Sequence, residues 1–450
     1  MGKYFGTDGV RGIANLDLTN DLAYDLGRYG AYVLTKHLNG EKARILIGKD
    51  TRLSSDMLES AMIAGILSVG CDVVRVGVVP TPAVAFLVKD QRFDAGVVIS
   101  ASHNSYEYNG IKFFNHLGFK LSDEIEEEIE SYLIGERTIE DTFTHDKLGH
   151  FINRFELVEL YLDNAKRALK GNLKGLRVAL DCANGATVGL AKLAFEDVDA
   201  EVTVISDQPN GININDNCGS THLDQLKYLV AHDEFDLGLA FDGDGDRVLA
   251  VDQHGREFDG DKIMAICAHH LSKNDELSNL TIVATVMSNL GFMNYAKDHG
   301  FMIETAPVGD RYVLEKMLEG GYSLGGEQSG HIIFLNRNST GDGIMTGLIL
   351  AEAILQSGQN LATWNDQIPR YPQVLVNARV NNNRKNDYQT IDAINRKITL
   401  IEESLHGKGR VLIRPSGTEP LVRVMLEGEN EVELQQIAQD LAHLFEQYLA

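Results

Sequence analysis

The chain has 450 residues, with 41 Lys and Arg against 65 Asp and Glu, and so a formal net charge of −24 at pH 7. Its length is more than one hydrophobic core of ~250–300 residues supports, and 44% hydrophobic residues with only 8 prolines describe folded domains rather than a disordered chain. So acidic a protein lacks the basic face that nucleic acid or an anionic membrane requires, although bulk charge does not decide what a local site binds.

From the N-terminus, Met-Gly-Lys-Tyr-Phe-Gly has no signal-peptide core, and Gly6 stands where a myristoylation motif needs Ser or Thr. A Gly-rich loop bearing Arg11 follows at residues 5–12 (FGTDGVRG). Residues 44–48 (RILIG) read as a strand, Leu58, Met62, Ile63, Ile66 and Leu67 share a helical face, and 73–76 read as the next strand. This alternation continues along the chain and predicts α/β architecture with mostly parallel strands. The run 123–130 (DEIEEEIE) reads as a helix whose six acids face solvent around Ile125 and Ile129. No apolar stretch approaches the ~18 residues of a membrane span. Cys71, Cys182, Cys218 and Cys267 form no CxxC pair, so buried, reduced thiols and a cytoplasmic location are expected.

A coarser pattern occurs three times: a strand, a short polar loop, and a second strand. Residues 94–100 lead through SASHNSYEYNG to IKFF; 235–241 lead through DGDGD to RVLAVD; 322–325 lead through GEQSG to HIIF. The C-terminal part differs, with a strand (VLVNARV), a helix from about Tyr388, two strands flanking RPSGTEP and a final helix. The fold expected is three related α/β domains with mixed sheets plus a smaller α+β domain, bounded as 1–150, 151–255, 256–370 and 371–450.

The loops carry the chemistry. Asp242, Asp244 and Asp246 alternate with glycines, so three carboxylates can converge on one hard cation, with Mg2+ the natural occupant; a plain acidic turn is the alternative. An EF-hand is excluded, because its sixth and twelfth positions hold Arg247 and Gln253 in place of Gly and Glu. The Ser100–Asn104 string holds hydroxyls in a turn, either as a nucleophile or phosphoryl carrier or as turn hydrogen bonds, and Lys112 can return over it. Glu327 and Ser329 suit gripping adjacent sugar hydroxyls, or a polar hairpin tip. Arg414, Ser416, Gly417, Thr418 and Arg423 make a donor-rich anion cradle. No P-loop, GxGxxG or GxSxG occurs.

Together FGTDGVRG, SASHN, DGDGDR, GEQSGH and RPSGTEP, each once and in this order, resemble the α-D-phosphohexomutase superfamily over the whole chain. Within it, FGTDGVRG, PVGDRYV and GEQSGH are similar to the bacterial branch that acts on glucosamine phosphate. The resemblance implies four domains around a central cleft, a phosphorylated Ser102, and Mg2+ held by Asp242, Asp244, Asp246 and a phosphoserine oxygen. It implies interconversion of glucosamine 6-phosphate and glucosamine 1-phosphate through glucosamine 1,6-bisphosphate, with such a hexose bisphosphate as activator, feeding amino-sugar nucleotide and cell-wall precursor synthesis. The partner is a small phosphosugar rather than nucleic acid or membrane, and a homodimer is left open. Arg11, His103, Lys112 and Arg247 would surround the transferring group, with Lys112 a candidate general base; Glu327 and Ser329 would hold the sugar, and Arg414, Ser416, Gly417, Thr418 and Arg423 the non-reacting phosphate.

The family loop usually continues SASHN with Pro, and Ser105 stands there instead, which removes a fixed φ. Asp310 is either the N-cap of a helix starting near Arg311 or a carboxylate that reads the 2-ammonium group of glucosamine. The nearest competing reading is a mutase for glucose or mannose phosphates; a phosphatase or a phosphosugar-binding module would leave the separate serine loop and second phosphate cradle without a purpose. The site is expected to be a positive island in an acidic surface.

Overall fold

A computed structural model describes residues 3–6, 8–38, 42–405, 408–416 and 419–450. The chain divides into two compact units, one running to Met287 and resuming over Gly300–Gln367, the other formed by Ser288–His299 with Ile368–Ala450.

The first unit contains three sheets. The first comprises β1 (Val10–Ile13), β2 (Arg44–Lys49), β3 (Asp72–Val78), β4 (Ala95–Ile99), β5 (Tyr108–Asn115) and β6 (Phe151–Asn153), in the order β1-β5-β4-β2-β3-β6. The second comprises β7 (Arg177–Asp181), β8 (Glu201–Ile205), β9 (Leu237–Phe241), β10 (Val248–Asp252) and β11 (Glu257–Phe258), ordered β11-β10-β9-β7-β8. The third comprises β12 (Thr281–Thr285), β13 (Met302–Ala306), β14 (Leu324–Gly326) and β15 (Ile332–Phe334), ordered β13-β12-β14-β15.

One four-strand plan underlies all three: β3-β2-β4-β5, β8-β7-β9-β10 and β13-β12-β14-β15. In each, the first three strands run parallel and the fourth returns antiparallel. Parallel strands covered on both faces must be apolar throughout, and β4 and β9 are buried at every position. Polar chemistry is therefore displaced into the hairpins between the third and fourth strands, which are the three loops singled out in the sequence.

In the second unit β16 (Gln373–Arg379), β17 (Arg410–Pro415) and β18 (Leu421–Glu427) form an antiparallel sheet ordered β16-β18-β17. Helices Asp392–Ser404 and Glu431–Leu449 pack on it through Ile394, Leu441 and Phe445, giving the expected α+β domain. Among the described residues, no helix is long and apolar enough to cross a membrane. All four cysteines are buried free thiols.

The acidic helix, Asp123–Leu133, is less uniformly solvated than its sequence suggests. Glu130 is buried, and its carboxylate accepts the backbone N–H groups of Lys3, Tyr4 and Phe5 at 2.7, 2.6 and 2.7 Å, tying the start of the chain to the helix. Burial pushes the Glu126 carboxyl up to about 7, with Arg311 only partly offsetting it. A group that holds its proton to higher pH when folded than the ~4.3 of the unfolded chain lowers stability progressively as pH rises from about 4.3 to 7. Glu126→Gln is expected to raise stability at pH 8 by about 1 kcal/mol after allowance for solvent screening, and to leave it unchanged below pH ~4; thermal melts at the two pH values check this.

Candidate active site

In the first unit the hairpin loops of all three sheets converge. Ser102, between β4 and β5, has φ +51° and is 1% exposed. Its Oγ donates to Asp242 Oδ2 at 2.6 Å and lies 3.4 Å from His103 Nδ1. The close approach of the two loops requires Gly243, since a Cβ there would stand 2.6 Å from the Ser102 carbonyl oxygen. From the other side, the Arg247 backbone bridges His331, and the Val248 amide donates to Gly330 at 3.1 Å, joining the second and third sheets' hairpins.

Asp242, Asp244 and Asp246 are all buried, and each offers a carboxylate oxygen within 4.8 Å of the others. Burial, then the charges of Asp246 and Asp244, hold the Asp242 carboxyl well above the usual carboxylate range. The loop is braced by Thr81, whose hydroxyl donates to Asp244 Oδ2 at 2.6 Å and whose amide donates to the Asp244 carbonyl at 2.9 Å. Asp244 Oδ1 and Asp246 Oδ1 are buried without a hydrogen-bond partner. Orphaned anionic oxygens pointing into one small space are costly unless a cation completes them, so this donor set fits a hard divalent ion such as Mg2+.

Lys112, on β5, is fully enclosed: its Nζ lies 2.8 Å from Asp244, 3.0 Å from Asp8 and 3.8 Å from Asp246. Burial alone would lower its pKa, but the three carboxylates outweigh this and raise it, so the ammonium form is favoured. A candidate general base at Lys112 would have to lose that proton against the three carboxylates that favour the ammonium form. Burial, together with Arg247 and Arg11, pushes His103 below its ordinary value and favours the neutral ring.

Ion pairs extend the cluster. Asp8 pairs with Arg11 and Lys120, and Lys120 pairs in turn with Asp310. His331 lies between Asp246 and Asp310, 3.6 Å from each through Nδ1 and Nε2. The order Asp246, Lys112, Asp8, Lys120, Asp310 alternates in charge, and His331 closes the circuit. Asp310 is therefore not an N-cap: the helix is Asp310–Gly320, Gly309 caps it with φ 129°, and the carboxylate faces Lys120. In the first unit five carboxylates (Asp8, Asp242, Asp244, Asp246, Asp310) meet Arg11, Lys112, Lys120 and Arg247; the expected positive island includes a divalent cation and the second unit's Arg414 and Arg423 as well.

Glu327 accepts the Gly309 amide at 3.2 Å, which joins the candidate sugar loop to the start of the Asp310 helix. Gln328 Nε2 donates to Asp259 at 3.2 Å, and Ser329 is exposed. In the second unit, Arg414 on β17 stands opposite Arg423 on β18. Burial, then the Arg423 charge, lowers the Arg414 pKa, and Arg423 pairs with Glu419 at 3.5 Å. Beside them the Ser416 carbonyl accepts Lys385 Nζ at 2.6 Å. Gly417 and Thr418 lie outside the described residues.

Sequence reasoning assigned no role to Thr81, Lys120, His331, Lys385, Arg52 or Asn215. His331 stands inside a quoted motif, GEQSGH, a signal that was available; Thr81, Lys120, Arg52 and Asn215 lie outside any motif and reach the first unit's site only through the fold, and Lys385 belongs to the second unit.

Four family descriptions match in order: Phosphoglucomutase/phosphomannomutase alpha/beta/alpha domain I over 2–139, domain II over 159–255, domain III over 259–371 and the C-terminal domain over 375–444. Proteins named phosphoglucosamine mutase from Caldicellulosiruptor saccharolyticus and Clostridioides difficile are 54% and 51% identical, each over 100% of both chains. A Burkholderia thailandensis phosphoglucomutase/phosphomannomutase family protein has the same fold, with TM-score 0.81 and 23% identity over 98% of this chain and 97% of that one. Aspergillus fumigatus N-acetylphosphoglucosamine mutase, solved with GlcNAc-6P and magnesium, has TM-score 0.71 at 18% identity, covering 100% of this chain and 96% of that one.

The carboxylate trio is expected to bind one Mg2+, and Asp244→Asn to weaken it by about 100-fold. Titration calorimetry on the purified protein checks this, and unchanged affinity in the variant would exclude Asp244 as a ligand.

Proposed function

The chain belongs to the phosphoglucomutase/phosphomannomutase family, and on that premise we propose that it interconverts glucosamine 6-phosphate and glucosamine 1-phosphate through a phosphorylated serine. The observation that carries this reading is a buried serine hydroxyl 2.6 Å from a trio of carboxylates, in a chain alignable end to end with proteins named phosphoglucosamine mutase.

The reaction needs a carrier, a charge-neutralising environment and a grip on both ends of the sugar. Phosphorylated Ser102 is the carrier: its Oγ–P bond breaks as a new P–O bond forms to the free sugar hydroxyl, whose proton ends on the released Ser102 Oγ. The product is glucosamine 1,6-bisphosphate. Transfer of its other phosphoryl group back to Ser102 Oγ restores the enzyme, and the proton returns to the sugar oxygen left behind. A bisphosphate of this kind would also serve as activator by replacing lost serine phosphate. Asp242, Asp244, Asp246 and an oxygen of the serine phosphate would hold Mg2+, which supplies neutralisation of the transferring group's charge.

The remaining roles are those the family resemblance implies, supported by the chemistry of each side chain. Arg11, Arg247, His103 and the ammonium of Lys112 surround the transferring group and offset its negative charge. Glu327 and Ser329 hold sugar hydroxyls, and Arg414, Ser416, Gly417, Thr418 and Arg423 hold the phosphate that does not react. Four domains, 1–150, 151–255, 256–370 and 371–450, then contribute one loop each. A cytoplasmic location fits the reduced thiols and the phosphorylated substrate.

Asp310 is the candidate reader of the 2-ammonium group. Its helix start is tied to Glu327, and its partner Lys120 also pairs with Asp8, so a substrate ammonium can take the place of Lys120 without leaving that lysine unpaired. Asp310→Asn is expected to reduce the preference for glucosamine over glucose phosphate by about tenfold; an unchanged preference in kcat/KM would exclude the role.

The proposal as a whole is tested by mass spectrometry and by mutase rates. Phosphate is expected on Ser102 alone and transferable to sugar phosphate, and the rate with Mg2+ and catalytic bisphosphate is expected to be highest on glucosamine phosphate. Ser102→Ala is expected to lose at least about 1000-fold in kcat, as loss of a covalent carrier does. Faster turnover of glucose or mannose phosphate would replace the substrate assignment.

A further inference from the structure

Beneath the serine loop lies an arginine that makes no contact with the carboxylate trio. Arg52 follows β2, and its side chain is 0% exposed. The guanidinium has five N–H donors, and all five directions are taken. Nε pairs with Asp50 Oδ2 at 2.8 Å. Nη2 donates to the carbonyls of Ser102 at 2.9 Å and Asn104 at 2.8 Å. Nη1 donates to the Tyr108 carbonyl at 3.0 Å and to the Ser105 carbonyl. One side chain thus gathers four carbonyls across the full length of the loop.

Two further groups complete the arrangement. Asn215, contributed by the segment between β8 and β9, donates Nδ2 to the same Ser102 and Asn104 carbonyls at 2.9 and 3.0 Å. Asp50 orients Arg52 and also accepts the Ser100 hydroxyl at 2.6 Å, and that hydroxyl accepts the Ser102 amide at 3.0 Å. Both the carbonyl and the amide of Ser102 are therefore fixed, at a residue whose φ of +51° is unfavourable for any side chain larger than glycine. The loop has Ser105 where proline would lock the chain, so its conformation depends on these hydrogen bonds.

We propose that Arg52, assisted by Asn215, is a positioning residue for phosphoryl transfer at Ser102: its carbonyl clamp holds the Ser102 Oγ against Asp242. This rests on the reading of Ser102 as the phosphoryl carrier. Lysine cannot replace it, because three tetrahedral donors on one nitrogen cannot reach four carbonyls and Asp50 in a plane. The clamp does not touch Glu327 or Ser329, so it affects transfer rather than sugar binding.

Arg52→Lys and Asn215→Ala in the full chain test this by three measurements: steady-state kcat and KM on glucosamine phosphate, hydrogen exchange of the 101–108 segment, and melting temperature. Arg52→Lys is expected to lower kcat by about 100-fold, the cost of roughly 1 Å of misplacement, with KM within about twofold. Exchange of 101–108 is expected to rise while 327–331 stays protected. Asn215→Ala removes two of the contacts and is expected to lower kcat by about tenfold; it decides the matter if Arg52→Lys does not fold. A kcat near that of the unaltered protein, or exchange that rises uniformly with a falling melting temperature, would overturn the clamp. If the unaltered protein does not turn over glucosamine phosphate, the functional reading fails by itself, and the localised exchange of 101–108 alone decides whether the clamp exists.

Discussion

Three carboxylates buried within one small space repel one another, and much of the first unit can be understood as what makes that repulsion tolerable. Removing such groups from water costs several kcal/mol each unless charge and hydrogen bonds are returned to them. Thr81 brings a hydroxyl and an amide to Asp244, Lys112 brings an ammonium, the Ser102 hydroxyl donates to Asp242, and the Arg247 amide donates to its other oxygen at 3.1 Å. Asp244 Oδ1 and Asp246 Oδ1 remain without a hydrogen bond, and those are where a divalent cation fits. The same compensation places the serine: the hydroxyl that lowers the cost of Asp242 is that of Ser102, the candidate phosphoryl carrier.

The repeated sheet plan explains how three loops distant in sequence reach one place. Each sheet ends its parallel run with a strand that turns back antiparallel, and the turn carries a polar loop at the end of those apolar strands. The sequence showed this repetition clearly, because buried strands followed by Gly-rich acidic or hydroxyl-rich loops are visible as local strings. The DGDGDR loop was legible for the same reason: the chemistry lies within six consecutive residues.

What was not legible depends on contacts between segments far apart in the chain. Lys120 lies 112 residues from Asp8 and 190 from Asp310, and nothing in its local sequence distinguishes it from a surface lysine. Arg52 and Asn215 look like ordinary loop residues until the fold brings them under Ser102. Glu130 belongs to an acidic run that pattern alone assigns to solvent, yet it is the anchor for three backbone amides near the start of the chain. For Lys112 the position over the serine loop is visible in the sequence, but its surroundings of Asp8, Asp244 and Asp246 are not.

The alternating ion-pair circuit gives the site a property that no single motif has. Asp310, the candidate contact for the sugar's 2-substituent, is linked through Lys120 and Asp8 to Lys112, and through His331 to Asp246. Each lysine in the circuit is shared between carboxylates, so a ligand that draws one carboxylate away leaves the lysine still paired and shifts charge along the chain rather than exposing it. An ammonium group arriving at Asp310 would release Lys120 toward Asp8, which in turn would loosen the hold of Asp8 on Lys112 and leave that ammonium freer to face a transferring phosphoryl group. Recognition of the amino sugar and neutralisation of the reacting phosphate would then be parts of one electrostatic network. A neutral 2-hydroxyl would bind without supplying that displacement. The preference for an amino sugar would accordingly be expressed in turnover as well as in binding.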